Sequence, residues 1–214
     1  MLALYLPDRR RPDGMKVLVD GVVFGMSQSI VADAWEQLLR GLSQDPDLQI
    51  EMLDRGGAPA IGGITLIGFP SYRDEYTPAD SQLLQRVATH HGAEVFVSTG
   101  WTTPTTTPSV AMVFAGALPP ETVLSARQSG ECALAIRHAS RVVCVDEQAR
   151  LAVGRHLALD EEQLRAVVEV PAGEDGPVPY LASALRAAAA SAAAGADFYR
   201  RWAAIRDIQA RVDG

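Results

Sequence analysis

The sequence predicts an α/β fold built on a doubly wound, mainly parallel sheet. Its short apolar runs, such as Val95–Val97 and Val110–Phe114, lack the polar alternation of a strand with one wet face. Such runs are typical of strands that are covered on both faces. Segments with helical periodicity alternate with these runs along the chain, which favours helices on both faces of one sheet.

Each element follows from local periodicity and turn chemistry. The helix after the first strand has a wide apolar stripe from Ile30 to Leu42, and Asp45-Pro46-Asp47 ends it. The predicted strands are Lys16–Asp20, Leu48–Leu53, Ile64–Ile67, Val95–Val97, Val110–Phe114, Val142–Val145 and Ala166–Val170. The other predicted helices are Asp80–His91, Pro119–Ser140, Glu147–Leu157, Tyr180–Ala194 and Phe198–Val212.

Composition divides the chain into four parts. Residues 1–14 are interpreted as an N-terminal extension, because Met15 directly precedes the first strand. Residues 15–170 form the α/β domain, and 171–179 form a linker rich in Gly, Pro and acidic residues. Residues 180–214 are expected to form helices that pack back across the sheet.

Charge and hydropathy exclude several classes of partner. The net charge of -7 and the pI of about 5.1 argue against a nucleic-acid-binding or anionic-membrane surface. No apolar run is long enough for a membrane span, and the first residues lack the basic start of a signal peptide. A cytoplasmic location is therefore predicted. Cys132 and Cys144 are predicted to be buried reduced thiols, and neither has metal-ligand spacing, so no metal site is expected.

The loop between Val97 and Val110 is the best candidate for ligand contact. It contains Thr, Pro and Ser residues around Trp101 and follows a predicted strand, where open α/β sheets place their ligands. Sugars stack on aromatic faces, so Trp101 with Thr102 and Thr103 is predicted to contact a glycan acceptor. Packing of Trp101 under the loop or against a partner chain is the alternative.

The candidate loop and its flanking strands have the sequence STGWTTPTTTPSVAMVFAGALPPE. This segment resembles the STYYTTPLTTPSVVMVYDMIPE pattern of family-4 glycosyltransferases, which belong to the GT-B class. The segments KVLVDGVVFGMSQ, AIRHASRVVCVDEQARLAVGRHL and DFYRRWAAIRDIQARVD also resemble the family, so the likeness covers about residues 15–170 and 197–213. The resemblance implies a Rossmann-like acceptor-side domain, which normally faces a nucleotide-sugar domain across a cleft. It also places Glu121 at a family position near the acceptor.

Three departures from the family pattern remove the same capability. Between Val170 and Asp197 the family carries a whole nucleotide-sugar domain, and here there is a linker and an Ala-rich helix. Phe114-Ala115 occupies the position of a polar catalytic pair. Ser29-Ile30 replaces a Gly-Gly pair in the first loop, whose remaining donor-facing residues are Gly25, Gln28 and Ser29. No catalytic residue and no cofactor are therefore predicted.

The resemblance and its departures together predict a degenerate glycosyltransferase-like protein. It would bind a protein partner, either a glycosyltransferase or its own copy, in bacterial glycan biosynthesis. The alternatives are the acceptor half of a split transferase completed by a separate donor-domain protein, and a glycan-binding module. Loop residues exposed by the missing domain are expected to form an apolar partner patch, namely Phe24, Met26, Trp101 and Phe114.

Overall fold

A seven-stranded parallel sheet forms the centre of the molecule. The computed structural model describes residues 14–26, 30–73, 78–114, 125–157, 168–170 and 176–193. The strands are β1 Met15–Asp20, β2 Leu48–Asp54, β3 Ile64–Gly68, β4 Val95–Ser98, β5 Ser109–Val113, β6 Arg141–Cys144 and β7 Val168–Glu169. Their order in the sheet is β3-β2-β1-β4-β5-β6-β7, and every pairing is parallel. The predicted Rossmann-like fold is confirmed.

Helices cover both faces of this sheet. They are α1 Ile30–Leu42, α2 Pro78–His91, α3 Ala126–His138, α4 Glu147–Leu157 and α5 Pro177–Ala193, and a short 3-10 helix spans Val22–Gly25. Alternate strand residues point to opposite faces, so Val17 and Val19 pack with α1 and α5, whereas Leu18 packs with α2. The α3 and α4 helices cover the second face over β5 and β6. This two-sided burial explains the unbroken apolar runs in the sequence.

The helix after the linker begins earlier than expected. Pro177, Val178 and Pro179 belong to the first turn of α5, so the predicted linker 171–179 is too long at its C-terminal end. Proline suits the first turn of a helix because the amide it lacks has no intrahelical partner there. Gly176 supplies the left-handed backbone before it, with φ of 68°. The α5 helix packs across β4, β5 and β6, as predicted for a helix that follows the domain.

Some predicted features lie outside the described residues. These are the extension up to residue 13, the loop residues Gln28 and Ser29, the residues Ala115 and Glu121, and the last helix, Phe198–Val212. Among the helices that the structure does describe, none combines the length and apolar character that a membrane crossing requires.

Candidate functional site

The strand order creates one reversal point, between β1 and β4. The chain proceeds from β1 to β2 and β3 on one side and from β4 to β5, β6 and β7 on the other. In open α/β sheets, ligands bind in the crevice that such a reversal leaves beyond the carboxyl ends of the strands. The loops that line this crevice follow Asp20 at the end of β1 and Ser98 at the end of β4.

The two crevice loops are bonded directly to each other. The hydroxyl of Thr99 donates to the backbone carbonyl of Asp20 at 2.9 Å and accepts the amide of Val23 at 3.0 Å. The backbone of Gly100 also packs tightly against Val22. A Cβ added at Gly100 would lie only 2.9 Å from a methyl group of Val22, which is too close for any other residue type without a shift. The described parts of the two loops are therefore in direct contact across the reversal point.

A buried ion pair lies beneath this closure. Asp20 accepts two hydrogen bonds from the guanidinium of Arg55, at 2.6 Å from Nε and 2.8 Å from Nη2. Both residues are buried. Arg55 also donates from Nη1 to the carbonyl of Pro70 at 3.1 Å, and its guanidinium stacks on Phe69 at 4.7 Å from the ring centre. Bidentate geometry of this kind gives the strongest pairing between arginine and a carboxylate.

Two hydroxyls extend the ion pair into the threonine loop. Thr102 donates to Oδ2 of Asp20 at 2.6 Å, so its own oxygen accepts the Ser98 hydroxyl at 2.8 Å. Ser98 in turn accepts the backbone amides of Gly100 and Thr102. The hydroxyl protons thus point in one direction along a series of hydrogen bonds, from Ser98 through Thr102 to the carboxylate of Asp20. These hydrogen bonds fix the start of the loop to the end of β1.

The predicted acceptor residues divide into two groups. Thr102 is only 3% exposed and its hydroxyl is committed to Asp20, so a glycan bond through Thr102 would require breaking that contact. Trp101 is half-buried against the cluster around Cys132, and Thr103 is half-buried beside it. The space that both residues line has a volume of about 10 Å³, which is room for one water molecule and not for a sugar. Glycan contact through the outer side of Trp101 stays a prediction.

The expected apolar patch does not form as predicted. Among its four residues only Met26 is exposed, at 39%. Phe24 and Phe114 pack against the main core, and the Phe114 ring meets Trp35 of α1 edge-on at 5.4 Å. Sequence alone placed these residues on loops facing a missing domain, but their side chains turn inward because apolar partners lie within reach. Phe114 therefore packs as part of the core.

The first loop is shaped by packing against its neighbour. Val22 and Val23 are buried in the short 3-10 helix. Gly25 lies against the loop after β2, where an added Cβ would sit 3.2 Å from the carbonyl oxygen of Gly56. The space at Gly21 is smaller, because a Cβ added there would lie 2.7 Å from the carbonyl oxygen of Leu53. These glycines permit close loop-to-loop approach, which accounts for Gly25 without a phosphate ligand.

Comparisons with known proteins do not assign a function. No model of a known protein family matches the chain, and no curated protein is similar to it. Among solved structures it is similar to the oxidoreductase ylbE from Lactococcus lactis, with 13% sequence identity and a TM-score of 0.34. That similarity covers 61% of this chain and 67% of the other. A likeness of this size carries no functional argument, and the glycosyltransferase resemblance stays a prediction.

A glutamine of α2 holds the far side of the threonine loop. Oε1 of Gln85 accepts the backbone amides of Thr106 and Thr107, at 2.7 and 2.9 Å. Its Nε2 donates to the hydroxyls of Thr107 and Thr89, both at 3.0 Å. The side chain therefore anchors this part of the loop to α2.

We expect Gln85→Met to lower the free energy of unfolding by about 1–2 kcal/mol, because it leaves a half-buried loop amide without its acceptor. Gln85→Glu keeps the acceptor oxygens for both amides and should lose less. Urea denaturation of the two variants beside the unmodified chain measures the difference. Equal stability of Gln85→Met and the unmodified chain would show that the loop does not depend on this anchor.

A second polar cluster links the loop after β3 to α2 and α3. Arg127 is buried and pairs with Asp80 at 2.5 Å and with Glu131 at 2.9 Å. The hydroxyl of Tyr72 donates to Glu131 at 2.7 Å, and its ring lies 4.2 Å below the Arg127 guanidinium. Arg127 also donates to the backbone carbonyl of Arg73. The cluster is a fully bonded clamp, which holds the loop after β3 onto the two helices.

Burial raises the pKa of the Glu131 carboxyl above its usual value, although hydrogen bonds from Tyr72 and Arg127 act in the opposite direction. The folded state therefore keeps this proton at a pH where the unfolded chain has lost it. Stability from this group is fully present below the usual value of 4.5 and is lost as the pH rises through the raised folded pKa.

Glu131→Gln removes this titration while keeping an acceptor for Arg127. We expect the stability of the unmodified chain, relative to this variant, to increase as the pH is lowered through the window above 4.5. Urea midpoints measured for both proteins across that window give the comparison. A difference that is constant with pH, or that grows towards alkaline pH, would contradict the raised pKa.

The remaining candidate chemistry of the described residues is sparse. The thiols Cys132 and Cys144 are unpaired and buried, as predicted, and burial raises the pKa of each to about 12. His91 at the end of α2 pairs with Glu51 at 2.8 Å. Within the described ranges no group of three or more His, Cys, Asp or Glu side chains is arranged to hold a metal ion.

Proposed function

We propose that the chain is a degenerate glycosyltransferase-like domain without transferase activity of its own. It serves as a partner-binding subunit in bacterial glycan biosynthesis, and the partner is a glycosyltransferase or a second copy of this chain. The glycosyltransferase part of the proposal comes from the threonine-loop motif and its flanking segments. The part of the proposal that concerns the absence of activity is based on the geometry of the crevice.

One observation supports the proposed absence of transferase activity. The reversal point between β1 and β4 is occupied by the Thr99 bridge and by the contact between Gly100 and Val22. A donor phosphate at this edge would need free amides and an open loop. The amide of Val23 is already bonded to Thr99, and Phe114 has joined the core at the family's polar position.

The test uses the purified chain with uridine-, guanosine- and adenosine-diphosphate sugars. We expect no saturable binding by calorimetry and no release of nucleoside diphosphate in the presence of sugar or lipid-linked acceptors. Transfer of sugar by the chain alone would overturn the proposal. Activity that appears only after mixing with a separate donor-domain protein would replace it with the split-transferase alternative.

The glycan-binding alternative depends on Trp101. Its side chain is half-buried, so only its outer side can meet a ligand. Binding to an oligosaccharide array that Trp101→Ala abolishes would favour this alternative. Array binding that is absent, or that the substitution leaves unchanged, would remove it.

A further inference from the structure

The β3 edge of the sheet is unlike the opposite edge. β3 pairs with β2 on one side, and no described strand pairs with its outer side. Natural proteins protect such edges with charges, prolines or very short strands. The opposite edge strand, β7, spans two residues and contains Glu169. By contrast β3 has five residues, Ile-Thr-Leu-Ile-Gly, with no charge and no proline.

The neutral region extends well beyond the strand. No Asp, Glu, Lys, Arg or His occurs anywhere from Gly56 to Tyr72, in a chain in which 21% of the residues are charged. Leu66, at the centre of β3, is 39% exposed, and Thr65 before it and Gly68 at the end of the strand are also exposed. An apolar, uncharged edge strand of this length is a template for pairing with another strand.

Charge selects the partner. The chain carries a net charge of -7, so two copies repel each other at long range, and a contact between them must avoid placing acidic side chains opposite each other. The five residues of β3 are uncharged, so pairing of β3 with its own copy brings no like charges into direct contact. A strand edge is also self-complementary, because a two-fold axis brings each strand antiparallel against its own copy with matched amides and carbonyls.

We infer that the chain forms a two-fold homodimer through antiparallel pairing of β3 with β3 of a second copy. Leu66 is the register partner of Met52 in the neighbouring strand and is exposed, so pairing at the axis would bring the two Leu66 side chains together and bury them. The inference rests on the partner-binding part of the proposed function and names the partner. It uses a surface separate from the closed crevice.

Light scattering and sedimentation over a range of concentrations test the inference. The unmodified chain should change from monomer to dimer as its concentration increases. Leu66→Lys places two like charges opposite each other at the axis and should weaken dimerisation at least about ten-fold. Leu151→Lys on α4 is the matched control, because Leu151 is similarly exposed, at 42%, and should leave dimerisation unchanged.

Cross-linking gives a second readout that does not depend on introducing a charge. Under mild oxidation Leu66→Cys should form a disulfide-linked dimer, whereas Leu151→Cys should not. The native thiols do not interfere, since both are buried with a pKa of about 12. Together the two measurements distinguish pairing at β3 from pairing elsewhere.

A chain that stays monomeric at every concentration would overturn the inference, whether the edge is bare or covered by another segment of the same chain. A dimer that Leu66→Lys and Leu151→Lys affect equally would also overturn it. Either result would leave the proposed function with a separate glycosyltransferase as its partner. Sugar transfer by the chain alone would overturn the proposed function and leave the dimer measurable.

Discussion

Replacing Asp20 by Asn is expected to lower the free energy of unfolding by about 3–5 kcal/mol, because it leaves the buried guanidinium of Arg55 without its counter-charge. Three donor groups converge on the two oxygens of Asp20, namely Nε and Nη2 of Arg55 and the hydroxyl of Thr102. An asparagine amide nitrogen would face at least one of these donors. Asparagine has nearly the same shape as aspartate, but it therefore does not restore the lost stability.

The exposed pair between Arg40 and Glu36 provides the matched control. Its N–O distance is 2.5 Å, as short as the Asp20–Arg55 contact, but the Arg40 side chain is 54% exposed. Glu36→Gln should change stability by about 0.5 kcal/mol or less. Urea denaturation of both variants tests the contrast. A loss for Asp20→Asn as small as that for Glu36→Gln would show that the buried pair does not hold the crevice closed.

Arg127→Met should give the second large loss, about 3 kcal/mol at neutral pH. It removes the contacts to Asp80, Glu131 and the Arg73 carbonyl at once, and the Glu131 carboxylate then stays buried without its cation. Because the pKa of Glu131 is already raised by burial, this carboxyl can take up a proton in the variant. The loss should therefore become smaller as the pH is lowered.

Two further variants define this effect. Arg86→Met changes an exposed arginine of α2 and should shift stability by about 0.5 kcal/mol or less. The double variant Arg127→Met/Glu131→Gln should recover part of the loss, since the unpaired charge is gone. Denaturation at several pH values measures these variants beside Glu131→Gln and the unmodified chain. Strict additivity of the two single effects would contradict a coupled clamp.

The apolar runs predicted the sheet because the burial of a strand on both faces is visible in its own few residues. Three consecutive apolar residues, Val17, Leu18 and Val19, are expected in a strand only where both of its faces are buried. In the structure helices cover both faces. Element boundaries moved by a residue or a few, as at Pro177, because the terminal residues of a helix depend on which backbone groups find partners.

The ion pair beneath the crevice was not predicted, because its contacts are set by strand register. Asp20 and Arg55 are 35 positions apart and meet because Asp20 ends β1 and Arg55 directly follows the adjacent strand β2. An acidic residue ending an apolar strand and an arginine just after the next one were the available signals. Gln85 and Tyr72 carried no such signal, since an isolated polar residue on a helix or loop is usually solvated.

Hydrogen exchange at the backbone amide of Val23 tests the closed crevice most directly, because this amide is bonded to the Thr99 side chain at the reversal point. We predict that it exchanges only through openings close in free energy to global unfolding, and that a nucleotide sugar does not change its rate. Exchange through a low-energy local opening, or protection that increases when a nucleotide sugar is added, would contradict a crevice filled by the chain itself.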